Sequence, residues 1–246
     1  MGAGPRDQPF EEVHPGFAIG AVVEGTFTYH TDTGRAVMHP GALLLGNPGA
    51  GFECRHEHAT GDRCIACHFD DTLLDDDFRF RAAMIPAGVR RAPSIAVVEA
   101  LAARGDAGAL EDAVVRLLED AVATEPTRVA MPSARDVRRI SEIVRHIEEH
   151  SGTPVDLDAL AALAGTSKFH FARMFRAIVG MSPYQFVIAL RMRRAGVRLA
   201  SEQAEVATIA FDVGFGDLST FNHRFLDAFG MTPTAYRKRY GRARPR

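Results

Sequence analysis

Two hydrophobic patterns divide the chain. From Phe10 to about Arg91 the apolar residues come in short runs, at Phe17–Val23, Thr26–His30, Arg35–His39, Ala42–Leu45, Phe52–His56 and Arg63–Phe69. Turn signals break them at His14-Pro15-Gly16, Asp32-Thr33-Gly34, His39-Pro40-Gly41, Asn47-Pro48-Gly49 and Thr60-Gly61-Asp62. Runs at that spacing predict a small antiparallel barrel or sandwich. From Ser94 the spacing becomes helical. Ser94–Arg104 and Ala109–Thr124 read as two helices about the Gly105–Gly108 turn, with Val97, Val98 and Leu101, then Leu110, Val114, Leu117, Leu118 and Val122, on their apolar sides. Such a hairpin would cover the barrel or pair with a second chain. Glu125 to Ser133 carries two prolines and little periodicity, as a linker does. Ser133 then caps a helix running to His150, with Val137, Ile140, Ile143, Val144 and Ile147 inward. Its last turn holds Glu148-Glu149, which sets negative charge against the negative end of the helix dipole.

The rest of the chain is written twice. Phe171 to Phe186 and Phe221 to Tyr236 align at a shift of fifty positions, with Phe171/Phe221, Phe175/Phe225, Gly180/Gly230, Met181/Met231 and Pro183/Pro233 in register. In the first copy Phe171, Met174, Phe175 and Ile178 form one apolar stripe. Leu218, Phe221, Phe225 and Phe229 draw nearly the same stripe in the second. Each stripe ends at a glycine, where a left-handed cap is favoured, and a proline three residues on can begin another helix. Upstream of each lies a shorter apolar segment and a glycine. Leu157, Leu160, Ala161 and Ala164 lead to Gly165, with Ser167 as the next cap. Val206, Ile209, Ala210 and Val213 lead to Gly214, with Asp217 or Ser219 as the cap. A short helix, a glycine turn and a second helix with a polar free face make the helix-turn-helix pattern.

These residues carry a resemblance. The frame Ile209-Ala210, Val213-Gly214-Phe215, Phe221, Phe225, Gly230, Thr232-Pro233, Tyr236-Arg237 resembles the signature of the AraC/XylS family of bacterial transcriptional regulators. The match runs from Asp136 to Tyr240 and includes Arg191 to Ala195 of the connecting helix. HPGALLLGNPGAGFE more loosely resembles the barrel segment of the cupin-like sensory half of such regulators. The implied fold is α+β in two domains. A cupin-like barrel over 8–92, a helical hairpin over 93–124 and a linker over 125–133 would precede a DNA-binding domain over 134–241, its two motifs near 156–179 and 205–229.

If each Phe stripe is buried, the opposite face is free to enter a major groove. The first copy offers Lys168, Phe169, Ala172, Arg173 and Arg176, with Ser167 at its start, and the second offers Asp217, Ser219, Thr220, Asn222, His223 and Arg224. By resemblance, Phe169, Ala172, Arg173, Leu218, Ser219, Asn222 and His223 occupy base-facing positions. The Arg173 fork suits guanine O6 and N7. Lys168, Arg176 and Arg224 suit phosphates, and Phe169 offers only apolar contact, for example to a thymine methyl. Arg191, Arg193 and Arg194 on the connecting segment are ambiguous between phosphate contact and structure, with Arg191 a brace between the two halves.

Charge sharpens this division. From Met131 onward 18 Lys and Arg stand against 11 Asp and Glu, whereas before it 11 stand against 20, which together give the net charge of −2. Only the second half is electrostatically suited to phosphate. No apolar stretch is long enough to span a membrane, and the start MGAGPRDQPF lacks a signal-peptide core, so a cytoplasmic protein without membrane contact is expected. The partners implied are double-stranded promoter DNA, a small-molecule effector, RNA polymerase and a second copy of the chain.

The string CRHEHATGDRCIACH gathers Cys54, His56, His58, Cys64, Cys67 and His68. Strand alternation puts Cys54, His56 and His58 on one face, and Cys64 and His68 on one face of the next strand with Cys67 opposite. Two readings stand: a zinc or iron site on Cys54, His56, His58, Cys64 and His68, or small buried thiols with histidines at a polar rim. Cys64-Ile-Ala-Cys67-His68 also fits the haem-attachment spacing, which requires export. Five aspartates between Asp70 and Asp77 read as a solvated loop. No nucleophile elbow, phosphate loop or paired-carboxylate arrangement stands out, so a non-enzyme is expected. The alternative is a cupin metalloenzyme, or a protein like the DNA-alkylation repair proteins, fused to the DNA-binding module.

Overall fold

The computed structural model describes residues 11–56, 61–75, 77–124 and 132–241. Eight strands come first: β1 (Glu11–Val13), β2 (Phe17–Glu24), β3 (Phe27–Thr31), β4 (Gly34–Met38), β5 (Leu43–Gly46), β6 (Gly51–His56), β7 (Arg63–Phe69) and β8 (Met84–Ile85). They form two antiparallel sheets, in the orders β1-β6-β3-β4 and β7-β2-β5-β8. Val22, Leu44 and Met84 of one sheet meet Phe27, Tyr29 and Met38 of the other in a shared core. The six apolar runs became β2 to β7. The two strands they do not announce are β1, which is two-thirds glutamate, and β8, which has two residues.

β2 explains how the sheets connect to the rest. Val22 packs between the sheets, whereas Phe17, Ile19, Ala21 and Val23 belong to a second, larger core outside them. A strand buried on both faces has no solvated side to mark with polar residues, hence the unbroken run FAIGAVV. On that outer face lies α1 (Ala92–Arg104), followed by α2 (Ala107–Ala123). Asp106 caps α2 through the Ala109 N–H. The hairpin does cover the sheet, but α1 is more than a lid. Its Ile95, Ala96, Val98 and Leu101 share one core with Ile188, Met192, Ala195 and Leu199 of the connecting helix α6 (Pro183–Ser201). Val122, assigned to the apolar side of α2, is exposed near the helix end.

The helical half comprises α3 (Ala134–His150), α4 (Leu157–Leu163), α5 (Lys168–Val179), α6, α7 (Val206–Asp212), α8 (Leu218–Phe229) and α9 (Pro233–Tyr240). Ser133 caps α3, and Gly180 and Gly230 end α5 and α8 in the left-handed conformation. α3, α4, α5 and the first half of α6 close around Phe171, Phe175 and Phe186. α7, α8, α9 and the second half of α6 close around Phe221, Phe225 and Tyr236 within the larger core. Leu218 departs from its expected stripe and lies exposed, because it is the first residue of α8 and precedes the turn that packs.

The two halves are locked by buried polar contacts as well as by apolar ones. Glu99 of α1 takes Arg193 of α6 on one oxygen and Arg63 of β7 on the other, the latter at 2.7 Å. Arg193 also donates to the Val23 carbonyl at 2.6 Å. The Glu148 carboxylate accepts the Gly25 N–H at 3.3 Å, which gives that unfavourably charged helix end a partner on the sheet half. Buried His39 meets the Phe186 ring edge-on. The segment 125–131, most of the expected linker, lies outside the described residues.

Candidate nucleic-acid interface

The two helix pairs α4–α5 and α7–α8 are built alike. In each, a short helix ends at a glycine with positive φ, Gly165 at 62° and Gly214 at 101°. Gly214 has a further reason to lack a side chain, since a Cβ there would lie 2.7 Å from the Ser151 carbonyl and 2.8 Å from the Arg191 guanidinium. The next helix then starts on a polar cap. Ser167 accepts the His170 N–H, and Asp217 accepts the Thr220 N–H at 2.7 Å. The Thr220 backbone bond also holds the Asp217 carboxyl below the usual carboxylate range. Phe171, Phe175, Phe221 and Phe225 have no exposed surface, which fixes the rotation of α5 and α8 and decides the faces they turn outward.

On α5 that outward face carries Ser167, Lys168, Phe169, Arg173 and Arg176, all exposed, with Ala172 half-buried beside them. Phe169 is 83 % exposed. On α8, Leu218, Ser219, Thr220, Asn222, His223 and Arg224 are likewise exposed. Among the described residues, Arg173, Arg176 and Arg224 engage in no ion pair, so their guanidinium groups are available. Lys168 differs: its ammonium sits 2.8 Å from Asp158 of α4, and this bond raises its pKa. His223 lies 3.4 Å from Asp227 one turn on.

Arg191, Arg193 and Arg194 of α6 separate from the interface. Arg191 donates to the carbonyls of Ser151 and Thr153, at 2.8 and 2.6 Å, and lies over the Phe215 ring. Arg194 donates to the Ser151 hydroxyl, and Arg193 is consumed by Glu99. Arg191 and Arg194 brace the helical half, and Arg193 ties it to the sheet half. One cation escaped the sequence reading: Arg90, just before α1, shares a cleft of about 480 Å³ with Tyr184, Gln185 and Arg224. Nothing periodic marks it, because the chain there belongs to a loop.

The cysteine and histidine residues fall on both sides of the sheet. Cys54 and Cys64 border the core between the sheets, while Cys67 packs toward the helices, as alternation requires. Burial pushes the Cys54 and Cys64 thiols up to about 12, so neither is a ready thiolate nucleophile at neutral pH. His68 is exposed, His58 lies outside the described residues, and His56 is described only as the strand partner of Phe27. Among the described residues no three His, Cys, Asp or Glu side chains converge on a point that could hold a metal ion. The expected zinc or iron set is thus described only in part, through Cys54, Cys64 and His68. No helix among the described residues is long and apolar enough to cross a membrane.

Known proteins resemble the helical half in sequence. A family model described as a helix-turn-helix domain matches residues 160–239. The regulatory protein SoxS of Escherichia coli is 31 % identical over 100 residues, which cover 41 % of this chain and 94 % of SoxS. The MmsAB operon regulatory protein of Pseudomonas aeruginosa is 35 % identical over 94 residues, 38 % of this chain but only 31 % of that protein. The DNA-binding domain of AdpA, solved in complex with a target DNA, is 31 % identical over 42 % of this chain and 92 % of its own, with a TM-score of 0.40. The family model and SoxS together define the class, that of helix-turn-helix DNA-binding regulators. Within it, the chain belongs to the AraC/XylS family of transcriptional regulators.

Proposed function

We propose that the protein binds promoter DNA by laying α5 and α8 into two successive major grooves on one face of the duplex, about 34 Å apart, and that a cupin-like sensory half sets how well it does so. The carrying observation is the pair of outward faces, fixed by buried phenylalanines and bearing unpaired arginines, in a stretch matched nearly end to end by SoxS. Arg173 is the base-reading residue of α5. Ser219, Asn222 and His223 supply the polar contacts of α8, and Arg176 and Arg224 hold phosphates. Lys168 reaches a phosphate only by giving up Asp158. The units are 8–92 for the sensory sheets, 93–124 for the hairpin and 134–241 for the DNA-binding part. Effector binding acts by favouring one arrangement of the two halves, or of two copies, over another. RNA polymerase is the further partner.

Selection of bound fragments from a random duplex pool, followed by titration at several salt concentrations, tests this. Arg173→Ala should lose about 1–3 kcal/mol and relax the preference at one base pair. Arg176→Ala should weaken all sequences alike and reduce the salt slope by about 1. A parent protein without preference among fragments at any ionic strength, matched by an indistinguishable Arg173→Ala variant, would overturn the proposal.

A further inference from the structure

The chain between β8 and α1 reaches into the helical half. Pro86 lies so close to the end of α5 that a Cβ on Gly180 would stand 2.5 Å from the Pro86 Cβ. Ala87 is buried in the core that holds Phe171 and Phe175. The segment then turns, with the Arg91 and Ala92 N–H groups bonded to the Gly88 carbonyl, and enters α1. It thus runs from the end of α5 to the flank of α8, where Val89 and Arg90 share the cleft of about 480 Å³ with Tyr184 of α6 and Arg224 of α8.

The two arginines of this segment are used differently. Arg91 is a clamp, its guanidinium 2.6 Å from Asp120 of α2 and donating to the Pro86 carbonyl at 3.0 Å, which holds the turn in shape. Arg90 is exposed and, among the described residues, makes no ion pair. The acid in its cleft, Asp227, lies 3.4 Å from His223 of the same helix. Arg224, which lines the cleft too, belongs to the outward face of α8. At the other end of the segment, the Gly180 N–H donates at 2.9 Å to the carbonyl of Arg176, the outward-facing arginine one turn earlier on α5. Three exposed cations outside any ion pair, Arg176, Arg90 and Arg224, therefore follow one another from α5 to α8. Such a succession suits the closely spaced charges of a phosphate backbone.

We propose that Arg90, a residue of the N-terminal half, contacts a backbone phosphate of the same duplex that α5 and α8 read. This rests on the reading of those helices as groove-reading. With the helices in successive major grooves, the backbone bordering the intervening minor groove passes over the Pro86 to Arg91 segment. Arg90 meets a phosphate there, beside the one held by Arg224. A contact of this kind sets position and affinity but carries no base preference. Because the segment continues β8 and opens α1, it gives the N-terminal half a direct hold on the DNA, without passage through the connecting helix.

The test uses the full-length chain and a duplex selected from a random pool. One phosphate contact contributes about 0.9 to the slope of log affinity against log salt, so Arg90→Gln should lower that slope by about 1 and weaken binding about eightfold at roughly 0.1 M salt. The selected sequence and the melting temperature should stay as in the parent, and Arg90→Lys should keep the slope. Single methylphosphonates, each removing one backbone charge, are then placed along both strands. One of them, between the two major grooves, should weaken the parent about as much as Arg90→Gln does and leave that variant unaffected. An unchanged slope in Arg90→Gln would overturn the contact. So would a loss that no single methylphosphonate reproduces, since only a long-range effect of charge would then remain. A parent that prefers no duplex removes the groove reading and this contact with it, whereas a parent that selects a sequence but matches Arg90→Gln at every salt concentration removes the contact alone.

Discussion

Replacing Glu99 by alanine should cost this protein more stability than its place among ordinary glutamates suggests. The Arg193 and Glu99 side chains are 5 % and 9 % exposed, so the ion pair between them is largely withdrawn from water. Removing one member of such a pair typically costs about 3–5 kcal/mol, because the survivor keeps a desolvated charge without its counter-ion. Two features point to the lower figure. Arg193 retains the Val23 carbonyl, and the Glu148 carboxylate is close enough to interact with it. Arg63, the other partner of Glu99, is half exposed and returns to water at a cost below about 1 kcal/mol. The loss is then about 3 kcal/mol, or roughly 6–12 °C in melting temperature for a chain of this size. Thermal unfolding followed by circular dichroism reads it directly. The double variant Glu99→Leu with Arg193→Met, which removes both charges and keeps the volume, should recover most of the loss. A Glu99→Ala melting temperature within about 2 °C of the parent, or a double variant no more stable than Glu99→Ala, would refute the reasoning.

Two other outcomes follow from the same junction. Burial pushes the Glu148 carboxyl up to about 7, above its ordinary 4.5, so the folded protein holds a proton there that the unfolded chain releases. Stability should therefore fall as pH rises from about 4.5 to 7 and level off beyond. Glu148→Gln, which can still accept the Gly25 N–H, should flatten that part of the profile in denaturant titrations, and an unchanged slope would remove Glu148 as its source. Gly196 lies where α1, α6 and α8 meet, and a Cβ there would stand 2.9 Å from both Ala96 Cβ and the Phe229 ring. Gly196→Ala should lower stability by about 1–3 kcal/mol through overpacking, despite the better helix propensity of alanine, and a stabilised variant in the same titration would contradict it.

Much of this structure could be read in advance where local rules decide. β2 to β7 were legible because Pro-Gly and Asn-Pro-Gly turns bracket runs whose burial is set by their immediate neighbours. The outward faces of α5 and α8 were legible because a repeated phenylalanine stripe fixes what must be inside. The junction was not. Glu99, Arg193 and Glu148 are written like any charged residues on an amphipathic helix, and only the three-dimensional crossing of α1, α6 and β2 decides which of them lose their water. The same holds for availability on the outward face of α5. Lys168 and Arg173 look equivalent along the chain, but Asp158, ten residues before Lys168, engages only the first. Strand alternation likewise separates Cys67 from Cys54 and Cys64, but spacing does not report that the latter two border an apolar core.

The place of α1 bears on how such regulators can be recombined. A helix that lies under the sheet on one side and along α6 on the other is a shared keel, and neither half owns it. A chimera cut at the proline-bearing stretch after α2 would graft a foreign keel onto α6, where Gly196 leaves room for the Ala96 methyl and little else. Exchange of N-terminal halves between relatives would then succeed only where the incoming α1 carries an equally small residue at that crossing.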